Sequence, residues 1–185
     1  MEKKNKTSDL QAHTGVEVVR CYQCGKCTAG CVLAGEMNYP PSYLMRMLQT
    51  GTKENYEKIL SSNSIWLCLN CENCVGRCPM EIDIPKMMDY LRNQAIQHNK
   101  LHPDSKPIIA FHQSFLDSIK QTGRLYEMGL IAAFKFRTFR LTQDLDIAPS
   151  MYLKGKLHLL PEKIKDRRSM RSIFAQTIEN DKSKN

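Results

Sequence analysis

The chain has 185 residues, 25% of them charged, and a formal net charge of +8, enough for one domain of ordinary size or a small domain with an extension. Its most apolar stretch, residues 128–134, is cut off by Lys135 and is far shorter than the ~20 residues of a membrane span, so no membrane crossing is expected. The N-terminus is polar with no apolar core behind it, so no secretory signal is expected, and with the clustered cysteines this leads to the expectation of a reducing cytoplasm.

Residues 1–14 read as a flexible polar tail. A first cysteine run follows, Cys21-x2-Cys24-x2-Cys27-x3-Cys31. Pro41 at a first helical position, Leu44, Met47 and Leu48 on one face, and Gly51 as a stop predict a helix over 41–50. Thr52 caps a second helix carrying Tyr56, Ile59 and Leu60, which the polar cluster 61–64 ends. The second run is Cys68-x2-Cys71-x2-Cys74-x3-Cys78-Pro79. Asp83 and Pro85 then open a longer helix with Met87, Met88, Leu91, Ala95 and Ile96 as its buried stripe, and the domain closes near Lys100. Beyond Pro103 a helix is predicted over 104–121, with Ile108, Ile109, Phe115, Leu116 and Ile119 inward and Gly123 stopping it. Another spans 125–140, Gly155 marks a turn, and Pro161 starts a last helix bearing Ile164, Ile173 and Phe174. The expected fold class is all-α. Its parts are the tail 1–14, a two-cluster domain over 15–100 and a basic helical extension over 101–185 that docks partners.

All eight cysteines fall in the two runs, and this is the spacing that wraps a cubane iron-sulfur cluster. Three thiolates at intervals of three residues can reach three corners of one cluster from a tight loop. The fourth, close behind, crosses to the other cluster. Cys21, Cys24, Cys27 and Cys78 therefore hold one 4Fe-4S cluster, and Cys68, Cys71, Cys74 and Cys31 the second. Zinc takes four thiolates too, but usually as two CxxC knuckles separated by a loop. A disulfide framework needs an oxidising compartment. His13, His98, His102, His112 and His158 are scattered, with no spacing that pairs them as ligands.

The positive charge is also placed unevenly. Residues 1–91 carry 10 basic and 10 acidic side chains, residues 92–185 carry 17 and 9. Two oxidised cubanes, each a 2+ core on four thiolates, add further negative charge to the first half. The alternation Phe134-Lys135-Phe136-Arg137-Thr138-Phe139-Arg140 could stack bases and neutralise phosphates, but a helix end in a protein interface accounts for it equally, and docking on an acidic partner explains the basic half without nucleic acid. No GxGxxG lies at a strand-to-helix turn and there is no phosphate loop or nucleophile constellation, so nothing here binds a flavin, a nicotinamide or a substrate. A chain whose redox groups are two one-electron cubanes is a relay, and the chemistry belongs to other proteins of a complex.

The helical segment between the runs, residues 32–67, resembles the all-helical ferredoxin domain of succinate dehydrogenase-type iron-sulfur subunits rather than the βαβ repeat of small bacterial ferredoxins. The words CYQCGKCTAGC and CLNCENCVGRCPMEIDIPKMMDYLR, with YLKGKLHLLPEKIK in the extension, resemble the C subunit of heterodisulfide reductase from methanogenic archaea. That resemblance implies the same eight cysteine ligands. It also implies a cytoplasmic complex in which the chain relays electrons from the flavin-containing A subunit, associated with a hydrogenase or formate dehydrogenase, to the CCG-domain B subunit, which reduces the coenzyme M–coenzyme B heterodisulfide. Val32 departs from the proline that often follows the fourth cysteine; proline there shapes the loop exit and is no ligand. The alternative circuit is a quinone-linked, membrane-associated oxidoreductase, whose iron-sulfur subunits often carry CCG domains or membrane helices.

Overall fold

The computed structural model describes residues 6–139, 153–155, 164 and 166–176, and among these it is helical with no strand. The chain divides into two compact units, Met1–Ser105 and Lys106–Asn185. The break lies a few residues beyond the expected boundary at 100. No helix among the described residues is long and apolar enough to cross a membrane.

Seven helices build the first unit: α1 (Lys6–Thr14), α2 (Lys26–Ala29), α3 (Pro41–Thr50), α4 (Lys53–Leu60), α5 (Ser64–Leu67), α6 (Asn73–Gly76) and α7 (Ile84–Gln97). α7 is the hub, against which α1, α4, α5 and α6 pack, while α3 packs on α2 and α4. Apolar residues recur on α7 at the helical period, and Met87, Met88, Leu91 and Ala95 are fully buried. Leu44 and Leu48 of α3, Ile59 of α4 and Ile65 of α5 complete the core with them.

The helix ends follow from their residues. Pro41 needs no amide hydrogen bond in the first turn of α3, and Gly51 takes the left-handed φ of 62° that closes that helix. The Thr52 side chain accepts from the Asn55 amide at 3.2 Å, and that of Asp83 from the Lys86 amide at 3.0 Å. Thr52→Ala removes the α4 cap and is expected to lower stability by about 1 kcal/mol in denaturant unfolding. An unchanged midpoint would show that the cap contributes nothing.

Two expectations need correction in this unit. Residues 6–14 are not a flexible tail: α1 packs on α7 with Leu10 fully buried, and the Thr7 hydroxyl donates to the Leu48 carbonyl at 3.0 Å. Leu10 and this hydrogen bond, with His13 against Tyr90 of α7 at 5.5 Å, dock a segment that looks uniformly polar. Ile96 is 52% exposed, because it lies one residue past the buried Ala95 and is turned about 100° off the inward stripe.

Among the described residues the second unit comprises α8 (Lys106–Thr122), α9 (Glu127–Thr138) and α10 (Arg167–Phe174), with α9 and α10 each packed on α8. α8 buries hydroxyl residues instead of the expected apolar row: Ser114 and Thr122 are buried, while Ile108, Ile109, Phe115 and Ile119 are only half-buried and Leu116 is exposed. The hydroxyls are satisfied locally, Ser114 donating to the Ala110 carbonyl at 2.8 Å and Thr122 to that of Ser118 at 2.7 Å, so burial costs them little. Gly123 holds φ at 84°, and a Cβ there would lie 2.2 Å from Ile164, so the turn requires glycine twice over. Ile164 precedes α10 rather than lying on it, and Asp166 caps that helix by accepting from the Ser169 amide at 3.1 Å. Pro161 and Arg140 lie outside the described residues. Of the aromatic-basic stretch, Phe134 meets Phe111 edge-on at 5.9 Å and Arg137 pairs with Asp117 at 2.5 Å, while Phe136 and Phe139 are largely exposed.

Candidate metal centres

The two cysteine runs fold alike. In the first, Gln23 and Gly25 take left-handed φ angles of 60° and 76°, and α2 begins directly after with Cys27 in its first turn. In the second, Asn70 and Glu72 take 51° and 59°, and α6 begins with Cys74 in its first turn. Three of these four residues are not glycine, and left-handed backbone at such positions costs energy that the surrounding site must offset. Turns with left-handed residues can present backbone N–H groups to anions and iron-sulfur centres.

Each loop is tied to a longer helix further along the chain by a polar side chain. Gln49 of α3 donates to the Cys21 carbonyl at 2.5 Å, and Arg92 of α7 donates to the Cys68 carbonyl at 2.5 Å and the Ile65 carbonyl at 2.6 Å. Asn70 and Arg92 both bond Asp89, at 3.0 and 2.8 Å, which joins the strained loop residue to the clamp. The loops are joined to each other where Asn73 donates to the Gly30 carbonyl at 2.7 Å. The Arg77 side chain lies over Gly30, where a Cβ would come within 2.6 Å of it.

The cysteines line two cavities of the first unit, of about 330 and 460 Å3 with their open mouths included. Cys21, Cys24, Cys27 and Cys78 line the smaller, with Met45, Ile82 and Ile84. Cys31, Cys68, Cys71 and Cys74 line the larger, with Leu33, Met37 and Met88. Each cavity thus receives three cysteines of one run and the last cysteine of the other. The thiols surround the cavities without converging: among the described residues no three His, Cys, Asp or Glu side chains could hold a single metal ion.

Burial pushes the Cys74 thiol up to about 11, with the nearby Cys68 adding to the shift, and raises Cys27 and Cys68 for the same leading reason. Thiols so placed stay protonated at neutral pH until a metal displaces the proton, so loading the site releases protons and acid opposes it. Soft sulfur donors, an apolar lining and amide-bearing loops fit two 4Fe-4S clusters.

Gln49 and Arg92 did not stand out in the sequence. Each is the ninth residue of its helix, and Leu44, Met45 and Leu48 of α3 occupy the places of Met87, Met88 and Leu91 in α7. Aligning α3 with α7 by their first residues is the signal that finds them.

The fold and the paired cavities define an all-α ferredoxin with two 4Fe-4S clusters and a helical extension, and residues 17–82 match the family described as the 4Fe-4S dicluster domain. Among curated proteins, the chain is similar to the C subunit of the H2:CoB-CoM heterodisulfide,ferredoxin reductase of Methanothermobacter marburgensis, 28% identical over 108 residues that cover 58% of this chain and 57% of that one. It is similar also to the iron-sulfur C subunit of the CoB–CoM heterodisulfide reductase of Methanopyrus kandleri, 34% identical over 80 residues (43% and 40% of the two chains). A third relative is the C subunit of the ferredoxin:CoB-CoM heterodisulfide reductase of Methanosarcina acetivorans, 36% identical over 77 residues (42% and 30%). The matched segment spans little more than half the length of these relatives at most.

Proposed function

We propose that the chain is the iron-sulfur electron-transfer subunit of a heterodisulfide reductase in the cytoplasm, taking electrons from the flavin-containing A subunit and delivering them to the CCG-domain B subunit, which reduces the coenzyme M–coenzyme B heterodisulfide. The observation that carries this reading is the pair of cavities, each lined by three cysteines of one run and the fourth of the other, in a chain similar to the iron-sulfur C subunits of that enzyme. In it, Cys21, Cys24, Cys27 and Cys78 ligate one cluster, and Cys31, Cys68, Cys71 and Cys74 the other. Two 4Fe-4S clusters supply one-electron redox chemistry when bound.

The chain's own residues hold and shield that chemistry. Gln49 and Arg92 fix the loops, and Met45, Met37 and Met88 give the cavities an apolar lining that keeps water from their walls. No substrate site is assigned to this chain: it relays, and catalysis lies with the CCG-domain protein. Residues 106–185 carry 15 basic and 8 acidic side chains against 12 and 11 in residues 1–105, which suits the extension to an acidic partner surface.

Anaerobic affinity purification of the tagged chain from its own cells, with co-purifying proteins identified by mass spectrometry, tests the assignment. Recovery of a large flavoprotein with a CCG-domain protein is expected. Recovery of a cytochrome b or another quinone-reactive membrane protein would overturn it.

A further inference from the structure

We propose that Ile84 is a positioning residue common to both metal centres, a single apolar wall that sets the potentials of the two clusters together. Of the described residues that line the two cavities, Ile84 alone is common to both. It is 2% exposed and is the first residue of α7, held there by the Asp83 cap. The other apolar wall residues serve one side: Met45 and Ile82 the cavity of Cys21, Cys24 and Cys27, Met37 and Met88 that of Cys68, Cys71 and Cys74.

The physical consequence follows from charge. Four thiolates on an oxidised cubane leave the centre already anionic, and the added electron makes it more so. A low-dielectric wall disfavours the more highly charged reduced form, and water admitted in its place favours it. Trimming a wall that faces one cavity raises one potential; trimming the shared wall raises both.

This inference takes the two cysteine sets above as the cluster ligands, and it is tested on the isolated full-length holoprotein without partners. Anaerobic redox titration followed by EPR, on preparations whose iron and sulfide contents match the parent, reads the two clusters. Ile84→Ala is expected to shift both midpoint potentials upward, by the order of a tenfold change in each oxidised-to-reduced ratio, or about 59 mV for a one-electron couple. Met45→Ala is expected to raise one potential only, and Met88→Ala the other only. If Ile84→Ala does not retain both clusters, Ile84→Val carries the test, with a smaller upward shift of both. A shift confined to one cluster, or none with both clusters retained, overturns the shared-wall assignment. Wrong ligand sets show separately in the cluster contents of single cysteine variants, and a wrong circuit shows in partner recovery.

Discussion

Cys31→Ser is expected to cost the chain the cluster held by Cys68, Cys71 and Cys74, not the one held by the cysteines of its own run. A serine hydroxyl is a harder and far weaker acid than a thiol, so it replaces thiolate poorly on iron. Cys31 lines the cavity of the second run together with Cys68, Cys71 and Cys74. Iron and sulfide should fall by roughly half, as two equal clusters require. Cys78→Ser should do the reverse, since Cys78 lines the cavity of Cys21, Cys24 and Cys27. Iron analysis with EPR of the reduced variants distinguishes the two; loss of the Cys21-side cluster on replacing Cys31 would mean that each run closes its own site.

Arg92→Ala carries the next largest expected effect. Its side chain is 15% exposed and donates to the carbonyls of Ile65 and Cys68, which lose their partner when it is truncated. Each carbonyl left unpaired costs about 1–3 kcal/mol, so a loss of about 2–6 kcal/mol is expected for the two. The ion pair adds little to this, because Asp89 is 53% exposed and water screens it. Arg92→Lys should recover only part of the loss, as an ammonium cannot span two carbonyls and a carboxylate as the planar guanidinium does. Anaerobic denaturant unfolding measures the cost, and bleaching of the visible absorption reports whether the second loop releases its cluster first. Equal stability of Arg92→Ala and the parent would refute the clamp. Gln49→Ala, which removes a neutral donor from the first loop, should cost less, about 1 kcal/mol.

How much was legible in the sequence depended on the range of the forces involved. The cysteine runs announce their chemistry because three ligands on one tight loop must be closely spaced. The bounds of α3, α4 and α7 were readable because Pro41, Gly51, Thr52 and Asp83 act on their own backbone neighbours. What escaped depends on contacts between segments. α1 is held by Leu10 and Thr7 against helices far along the chain, and nothing within it announces that docking. Arg92 looks like any surface arginine until the carbonyls of Ile65 and Cys68 are placed beside it. α8 misled for a related reason: Leu116 fits a helical apolar pattern, but the face turned inward is the one with Ser114 and Thr122, whose hydroxyls bond carbonyls of their own helix and so can be buried at little cost.

The relay itself is tested most directly by electron delivery. The anaerobically purified holoprotein, reduced and freed of reductant, is mixed with the CCG-domain protein proposed as its partner and the coenzyme M–coenzyme B heterodisulfide, and the visible absorption is followed. The account predicts that the bleached absorption returns only when both are present, with two thiols formed for every two electrons lost. Clusters that stay reduced under those conditions, while a quinone analogue reoxidises them, would contradict it.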